Sequence, residues 1–502
     1  MLWRNFLFTI LTCAGFSAAH GTEIRLTVLD FDTGKPLPCR IHMKDDAGKP
    51  VRPKGLPFWY DHFVCPGVAE VDLAPGLFAY EIDRGPEYLL TSGTLMVVEA
   101  GAPTVTNRLR RLVNLSGEGW WSGELHVHRP TADIELLMKA EDLHVAPVIT
   151  WWNNRNTWTN RALPANPLIR FDSDRFYQLM GGEDERGGGA LLYFNLRQPL
   201  DITGAGREYP SSMKFLSEAR QRAGVWVDIE KPFWYDTPVW LASGMVDSIG
   251  LAHNHMQRAG VLPNEAWGRP RDRQRFPDPQ GNGYWTEEIY YHILNCGLRL
   301  PPSAGSASGV LPNPVGYDRV YVHLDGDLGY EKWWEGLKAG RLFVSNGPLL
   351  RGRANGQLPG HVFKAQAGET LDLHVTAALD SRDPVSSLEI IKDGRVERAV
   401  SYSDWKRTGS TIRFDKSGWF LIRAMADVPA TFRFASTGPF YVEVGLDPRR
   451  VSRASARFFL DWVHERMKQI KLDDSRQQEE VLQHHRAAER FWQEKVAVAN
   501  AD

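Results

Sequence analysis

Two imidazoles stand two residues apart in the stretch GWWSGELHVHRP, at His126 and His128. On a β-strand that spacing turns both side chains to one face. Neutral ring nitrogens converging on one point suit zinc, manganese or iron as ligands. A second pair, His253 and His255 in LAHNHM, repeats the spacing. With 15 His in 502 residues, roughly half an H-x-H pair is expected by chance, so two pairs carry more weight than either alone. Glu183, in LMGGEDERGGG, offers a carboxylate behind two glycines, in what reads as a loop where backbone can approach an ion closely. Lys231, preceded by Glu230, would place an ammonium near strand ends, where it could hold an anionic or carbonyl oxygen. The bland alternatives are a polar rim of imidazoles held by carbonyls, a solvated loop acid and a surface lysine.

These residues need strands to position them. Between Leu115 and about Asn346, apolar runs of strand length alternate with amphipathic segments of helix length, the pattern of parallel β/α architecture. The candidate strands are Gly123–His128, Val145–Trp151, Ala190–Leu196, Val225–Ile229, Val246–Leu251, Arg299–Ala304 and Arg319–Leu324. Seven strands suggest a barrel, and barrel sites are built at strand C-terminal ends, where both histidine pairs fall. Helices are expected at Ala132–Leu143, Ser212–Ala223, Thr286–Cys296 and Tyr330–Ala339. Twelve of the 18 Trp lie between Trp120 and Trp334. Trp120, Trp121, Trp151, Trp152, Trp234 and Trp240 flank strand ends, where indoles either pack the core or stack on a ligand ring. Asp236, Asp247 and His323 are candidate outer groups.

On either side the alternation is strand-like throughout. Residues 22–113 carry short strands with turns at Asp32-Thr33-Gly34 and Ala74-Pro75-Gly76, which reads as a β-sandwich. Residues 351–448 read as a second β-sandwich, with a hairpin turn at Lys392-Asp393-Gly394. Residues 449–502 turn helical, and Phe459, Trp462, Val463, Met467 and Ile470 fall on one face that should dock on another domain. The His484-His485 pair is expected to be solvated.

Residues 1–21 place Arg4 before an apolar run and then small residues, which reads as a cleaved secretory signal and a secreted or periplasmic location. The three cysteines beyond it are Cys39, Cys65 and Cys296. One disulfide, Cys39–Cys65, with Cys296 free is the simplest partition in an oxidising compartment. With 59 Lys and Arg against 61 Asp and Glu, no overall positive field exists to hold nucleic acid. No stretch past the signal is long and apolar enough to span a bilayer. A small molecule or a glycan is the expected partner.

The order ELHVH, PVITWWNN, GGE, KP and SAGSASG resembles the PHP (polymerase and histidinol phosphatase) metallohydrolases. The likeness is closest to the CehA/McbA-type branch, which is similar also in carrying WEGLKAGRLFVSNGPLL after the barrel. The resemblance covers residues 114–350 and implies a distorted seven-stranded β/α barrel. The 22–113 stretches VLDFDTGKPLPCRIHM and VDLAPGLFAYEI resemble carboxypeptidase-regulatory Ig-like domains. The family's first metal motif falls on His126 and His128, and its Gly-x-Glu ligand on Glu183. Where the family carries further ligands, this chain has Trp151-Trp152, Lys231-Pro232 and Ser306-Ala307-Ser308. The resemblance implies a metal-dependent hydrolase of an ester-like bond, whether carbamate, carboxylic or phosphoric ester. One divalent ion, zinc first and manganese or iron next, would be held by His126, His128 and Glu183 with His253 or His255, and Lys231 and Glu230 would serve the reaction. The competing expectation is a non-catalytic extracellular protein that binds a glycan or small aromatic ligand in a degenerate barrel.

Overall fold

The computed structural model describes residues 21–99, 104–446 and 449–502, so most of the expected signal segment lies outside it. The architecture is mixed α/β, mostly strands in several sheets. Among the described residues no helix is long and apolar enough to cross a membrane.

The first unit is a two-sheet sandwich. One sheet has Thr22–Asp30 at its centre, between Val68–Leu73 and Thr104–Leu109, and the other runs Phe58–Trp59, His62–Cys65, Cys39–Lys44, Gly76–Asp83, Thr91–Val97. Strict alternation in Cys39–Lys44 sends Ile41 and Met43 into the core with Phe63 and Phe78. Arg40, on the opposite face, reaches Glu141 of the middle region at 2.6 Å. Cys39 and Cys65 are opposed in register and their thiols are in hydrogen-bond contact, yet both are free, as is Cys296. Direct opposition on antiparallel strands brings two cysteines within disulfide reach, so the expected pair is adjacent, but the expected bond is not made.

In the middle region the stretch 124–128 closes a ring. On one side the Glu124 N–H donates to the Val145 carbonyl (3.1 Å) and the Ile149 N–H to that of Val127 (2.8 Å). On the other, the Leu125 N–H donates to Ala304 (2.9 Å) and the His128 N–H to Ser308 (2.8 Å). Between those edges the sheet passes through Val145–Trp152, Arg175–Arg186, Gly189–Phe194, Trp226–Ile229, Ser248–His253 and Pro302–Gly305. Two of these steps are antiparallel, against the all-parallel expectation, because Gly187 and Gly188 turn Arg175–Arg186 straight back into Gly189–Phe194.

Helix Ile134–Ala140 buries Ile134, Leu137 and Met138 against Val127 and Val148, as the spacing requires. Helix Gly281–Asn295 begins five residues before its expected start. Gly281 and Gly283 disguise that first turn, since helix propensity counts against them. Packing overrides propensity here, because a Cβ at Gly283 would overlap the ring of Phe432.

The sheet does not stop at the expected boundary after residue 350. Arg319–His323 pairs with Trp120–Gly123 and with Leu342–Ser345, and Leu342–Ser345 pairs in turn with Phe434–Thr437. The second sandwich therefore shares one of its sheets with the middle region, and only Leu349–Ala354, Leu371–Asp380 and Ser410–Phe414 form a sheet of their own. Alternation in a sequence shows that strands exist but not which edges meet. The hairpin at Asp393-Gly394 forms as its sequence demands, both residues having left-handed φ, 50° and 86°.

Helices Arg453–Gln469 and Ser475–Ala497 dock on the middle region through Phe459, Trp462, Val463 and Trp492. His485, expected to be solvated, is buried and lies 3.4 Å from Asp236, which also takes a hydrogen bond from Arg466.

Candidate metal centre

The ring wall built by 124–128 carries His126 and His128 on one face, and their Nε2 atoms lie 3.0 Å apart. Glu183 comes from the neighbouring wall. It sits in register with Trp152, inside the twelve-residue strand Arg175–Arg186 rather than in the loop the sequence suggested. The two glycines before it admit close packing. A Cβ at Gly182 would overlap the indole of Trp151, and one at Gly181 would press on the Val148 carbonyl. Glu183 Oε2 is 3.4 Å from His126 Nε2 and 3.0 Å from His128 Nε2, and all three donor atoms lie within 4.8 Å of one another. Glu183 is 3% exposed, and its Oε2 is buried without a hydrogen bond of good geometry. A buried acceptor left in that state costs about 1–3 kcal/mol, more when charged. Two nitrogens and one orphaned carboxylate oxygen are a donor set that fits a borderline divalent cation.

Glu230 stands behind His126, its Oε1 3.2 Å from His126 Nδ1. Asn254 Nδ2 donates to the same oxygen (2.9 Å), Trp234 Nε1 donates to Oε2 (3.0 Å), and Lys231 Nζ bonds both oxygens. A carboxylate on Nδ1 fixes the imidazole tautomer and leaves Nε2 free to ligate. Glu230 is thus a positioning group. Lys231, expected to hold a substrate oxygen, is committed to Glu230 and lies 4.5 Å above the Trp234 ring.

The second histidine pair does not join the cluster. His253 Nε2 bonds the Thr286 hydroxyl at 2.8 Å, His255 Nδ1 bonds the Asn264 carbonyl at 3.0 Å, and Phe233 packs against both rings. The two rings stay together, their centroids 5.7 Å apart, but the strand Ser248–His253 ends there and both rings lie against Phe233, Thr286 and Asn264 rather than the His126 cluster. Asp247 pairs with Arg220, Asp236 with Arg466, and His323 packs edge-on to Trp120, so none of these serves the centre. Of the six tryptophans, Trp152 lies beside His128 with ring centroids 5.0 Å apart. Trp151 stacks on Tyr193, Trp240 bonds Ser212, and both are core.

Burial alone would lower the pKa of His126, but Glu183 and Glu230 outweigh it and push the imidazole up to about 10. His128 is held below its ordinary value by burial. Glu183 is drawn down to about 2, its burial outweighed by the two imidazoles. Two residues along the same strand, Glu185 is pushed up to about 7 by burial and by the Glu183 charge. Sequence reasoning missed it, although the i, i+2 spacing from Glu183 was there to read. Burial also brings Asp228 and Glu124 to about 7. Asp228 is bonded by Ser248 and Ser303, and Glu124 by the backbone of Ser306 and Gly316.

A cavity of about 520 Å³ lies elsewhere, where the two sandwiches meet the middle region, lined by Arg40, Asp83, Glu141, Arg258, Arg382 and Arg433 among others. Its arginines are already paired with acids, Arg40 and Arg382 with Asp83 and Arg433 with Asp383, so the chemistry is read from the histidine cluster instead.

No family model and no curated protein matches the chain. Two solved structures, the N-terminal four Ig domains of Dscam1 isoforms 9.44 and 4.4, align with 85% of this chain and 98% of theirs at 9% and 8% identity. Their TM-scores of 0.14 and 0.13 are too low to carry any argument, and what this chain does has to be read from its own side chains.

Proposed function

We propose that the protein is a metal-dependent hydrolase in which His126, His128 and Glu183 hold a single divalent ion, zinc before manganese or iron. The observation that carries the reading is the convergence of two imidazole nitrogens on the orphaned Oε2 of Glu183. When bound, such an ion supplies Lewis acidity and acidifies water at neutral pH. Glu230 keeps His126 in the ligating tautomer, and Asn254, Trp234 and Lys231 hold Glu230 in place. Trp152 makes an apolar wall beside His128. The resemblance to PHP proteins supports an ester-like bond as the target. The missing family ligands and the bonded state of His253 and His255 support one ion rather than a cluster of two or three.

The test is elemental analysis of protein purified without an affinity tag, together with turnover of nitrophenyl carbamate, acetate and phosphate esters. His126→Ala and Glu183→Gln should each remove about one ion per chain and all turnover while the fold survives by circular dichroism. Unchanged metal content in both folded variants refutes the reading. Binding of an aromatic or glycan ligand that survives chelation, without turnover, would favour a binding protein instead.

A further inference from the structure

The first sandwich carries a second set of converging ligands, formed by its strand register. Ile41 pairs with Phe63 across Cys39–Lys44 and His62–Cys65, so the next positions, His42 and His62, are cross-strand neighbours. Their ring centroids lie 5.0 Å apart. Trp59 pairs with His62, which leaves Tyr60 and Asp61 as a two-residue turn. Tyr60 takes the left-handed conformation that such a turn requires, with φ 49°. The turn sets Asp61 Oδ1 3.2 Å from His42 Nδ1 and 3.1 Å from His62 Nδ1. All three donors fall within 4.8 Å of one another.

An independent observation points to a ligand. His42 is 6% exposed, yet neither of its ring nitrogens makes a hydrogen bond of good geometry, Nδ1 having only Asp61 Oδ1 at 3.2 Å. Buried imidazole nitrogens in native proteins are normally satisfied. A cation between the three would take one nitrogen of each imidazole and the carboxylate oxygen as its ligands. Arg40 and Arg258 stand near enough to disfavour positive charge at His42, but each is paired, Arg40 with Asp83 and Glu141, and Arg258 with Glu81, the register partner of His42. The Asp61 side chain is 23% exposed, which gives an ion a way in and water a fourth position.

We propose that His42, Asp61 and His62 form a second divalent-cation site, of zinc type, distinct from the centre in the ring. The hairpin that carries it also touches the middle region, where the Trp59 indole N–H donates to the Leu311 carbonyl at 2.7 Å and Arg129 lies over the Trp59 ring. An ion here would pin that hairpin at the seam between the two regions.

The experiment separates this site from the hydrolase centre. Full-length protein carrying His126→Ala and His128→Ala is stripped with chelator and titrated with zinc, then with cobalt(II) for its visible absorption. About one zinc per chain should still bind and raise the melting temperature. Adding His42→Ala or, as the milder change, Asp61→Asn should abolish both effects. Should the double-histidine background not fold, wild type is compared with Asp61→Asn, and the zinc stoichiometry should fall by one. A folded background that binds no zinc, or binding unchanged by both His42→Ala and Asp61→Asn, overturns this site and leaves the ring centre untouched. Wild type that binds only the one zinc lost in Asp61→Asn, and none lost in His126→Ala, would sink the hydrolase reading alone.

Discussion

Two histidine pairs with identical spacing meet opposite fates in one ring. His126 and His128 project from a stretch hydrogen-bonded on both sides, and Glu183 Oε2 opposite them makes no hydrogen bond of good geometry. His253 and His255 follow a register shift, and each has a ring nitrogen bonded to a protein neighbour, the Thr286 hydroxyl or the Asn264 carbonyl. Electrostatics follows packing. Carboxylates outweigh burial and raise His126, whereas burial prevails and lowers His253 and His255. The spacing of two imidazoles states only that they share a face. What else occupies that face decides whether they are ligands.

The sharpest way to break this contrast is to truncate one histidine of each pair. His126→Ala should abolish metal binding at the ring and all turnover, whereas His253→Ala should keep both. The second change leaves the buried Thr286 hydroxyl unpaired, and a loss of about 1–3 kcal/mol in urea unfolding is expected. Equal loss of metal from the two variants would erase the distinction. Glu230→Gln tests the support behind His126. It leaves the Lys231 charge buried beside a neutral amide, which should cost about 3–5 kcal/mol. Zinc affinity, read by competition with a coloured chelator, should fall about 10- to 100-fold because the tautomer is no longer fixed.

The same contrast explains what a reader of the sequence could see. The pairing of His126 with His128 was legible because their spacing survives in one dimension, whereas Glu183 was singled out as a ligand through the resemblance and placed in a loop rather than in its strand. Helix Ile134–Ala140 and the docking face of Phe459, Trp462 and Val463 were legible for the same reason of period. The engagement of His253 was not, because a partner 33 residues away at Thr286 leaves no local mark. Lys231 looked available because its counterion Glu230 is its own neighbour, and adjacent strand residues ordinarily point apart. His42, Asp61 and His62 could not be assembled at all without the pairing of two strands about twenty residues apart. The seam after residue 350 was hidden likewise, since Leu342–Ser345 finds Phe434–Thr437 only in three dimensions.

Gly182 links the two levels, because a residue read as letting backbone approach an ion closely is a packing requirement. Gly182→Ala would drive a methyl into the Trp151 indole and push the Glu183 strand outward. Overpacking of this kind costs about 1–3 kcal/mol. Weakened zinc binding should accompany the loss, together with altered tryptophan emission. Full stability with unchanged metal affinity would show that the strand can yield without moving Glu183, and the glycine argument would fail.

The smallest expected effect is in pH, and it sets His126 apart by sign from His128, His253 and His255. Burial, with the Lys231 charge adding to it, lowers His255 to about 3, and burial lowers His144 to about 4. A base whose folded pKa lies below its unfolded value is neutral in the fold and protonated in the unfolded chain. Its contribution to stability is complete above about 6.5 and is lost as pH falls from there toward the folded value. At pH 5.5 the loss should be about 1 kcal/mol for each of the two groups relative to pH 7.5. His126 has the opposite sign in the metal-free protein, because its raised pKa makes protonation favour the fold. Urea unfolding of stripped protein at both pH values should show the acid loss, and His255→Asn should reduce it by about 1 kcal/mol without altering metal content. An acid loss of the same size in His255→Asn would mean that this imidazole already titrates normally in the fold, and that the two pairs differ less than their packing implies.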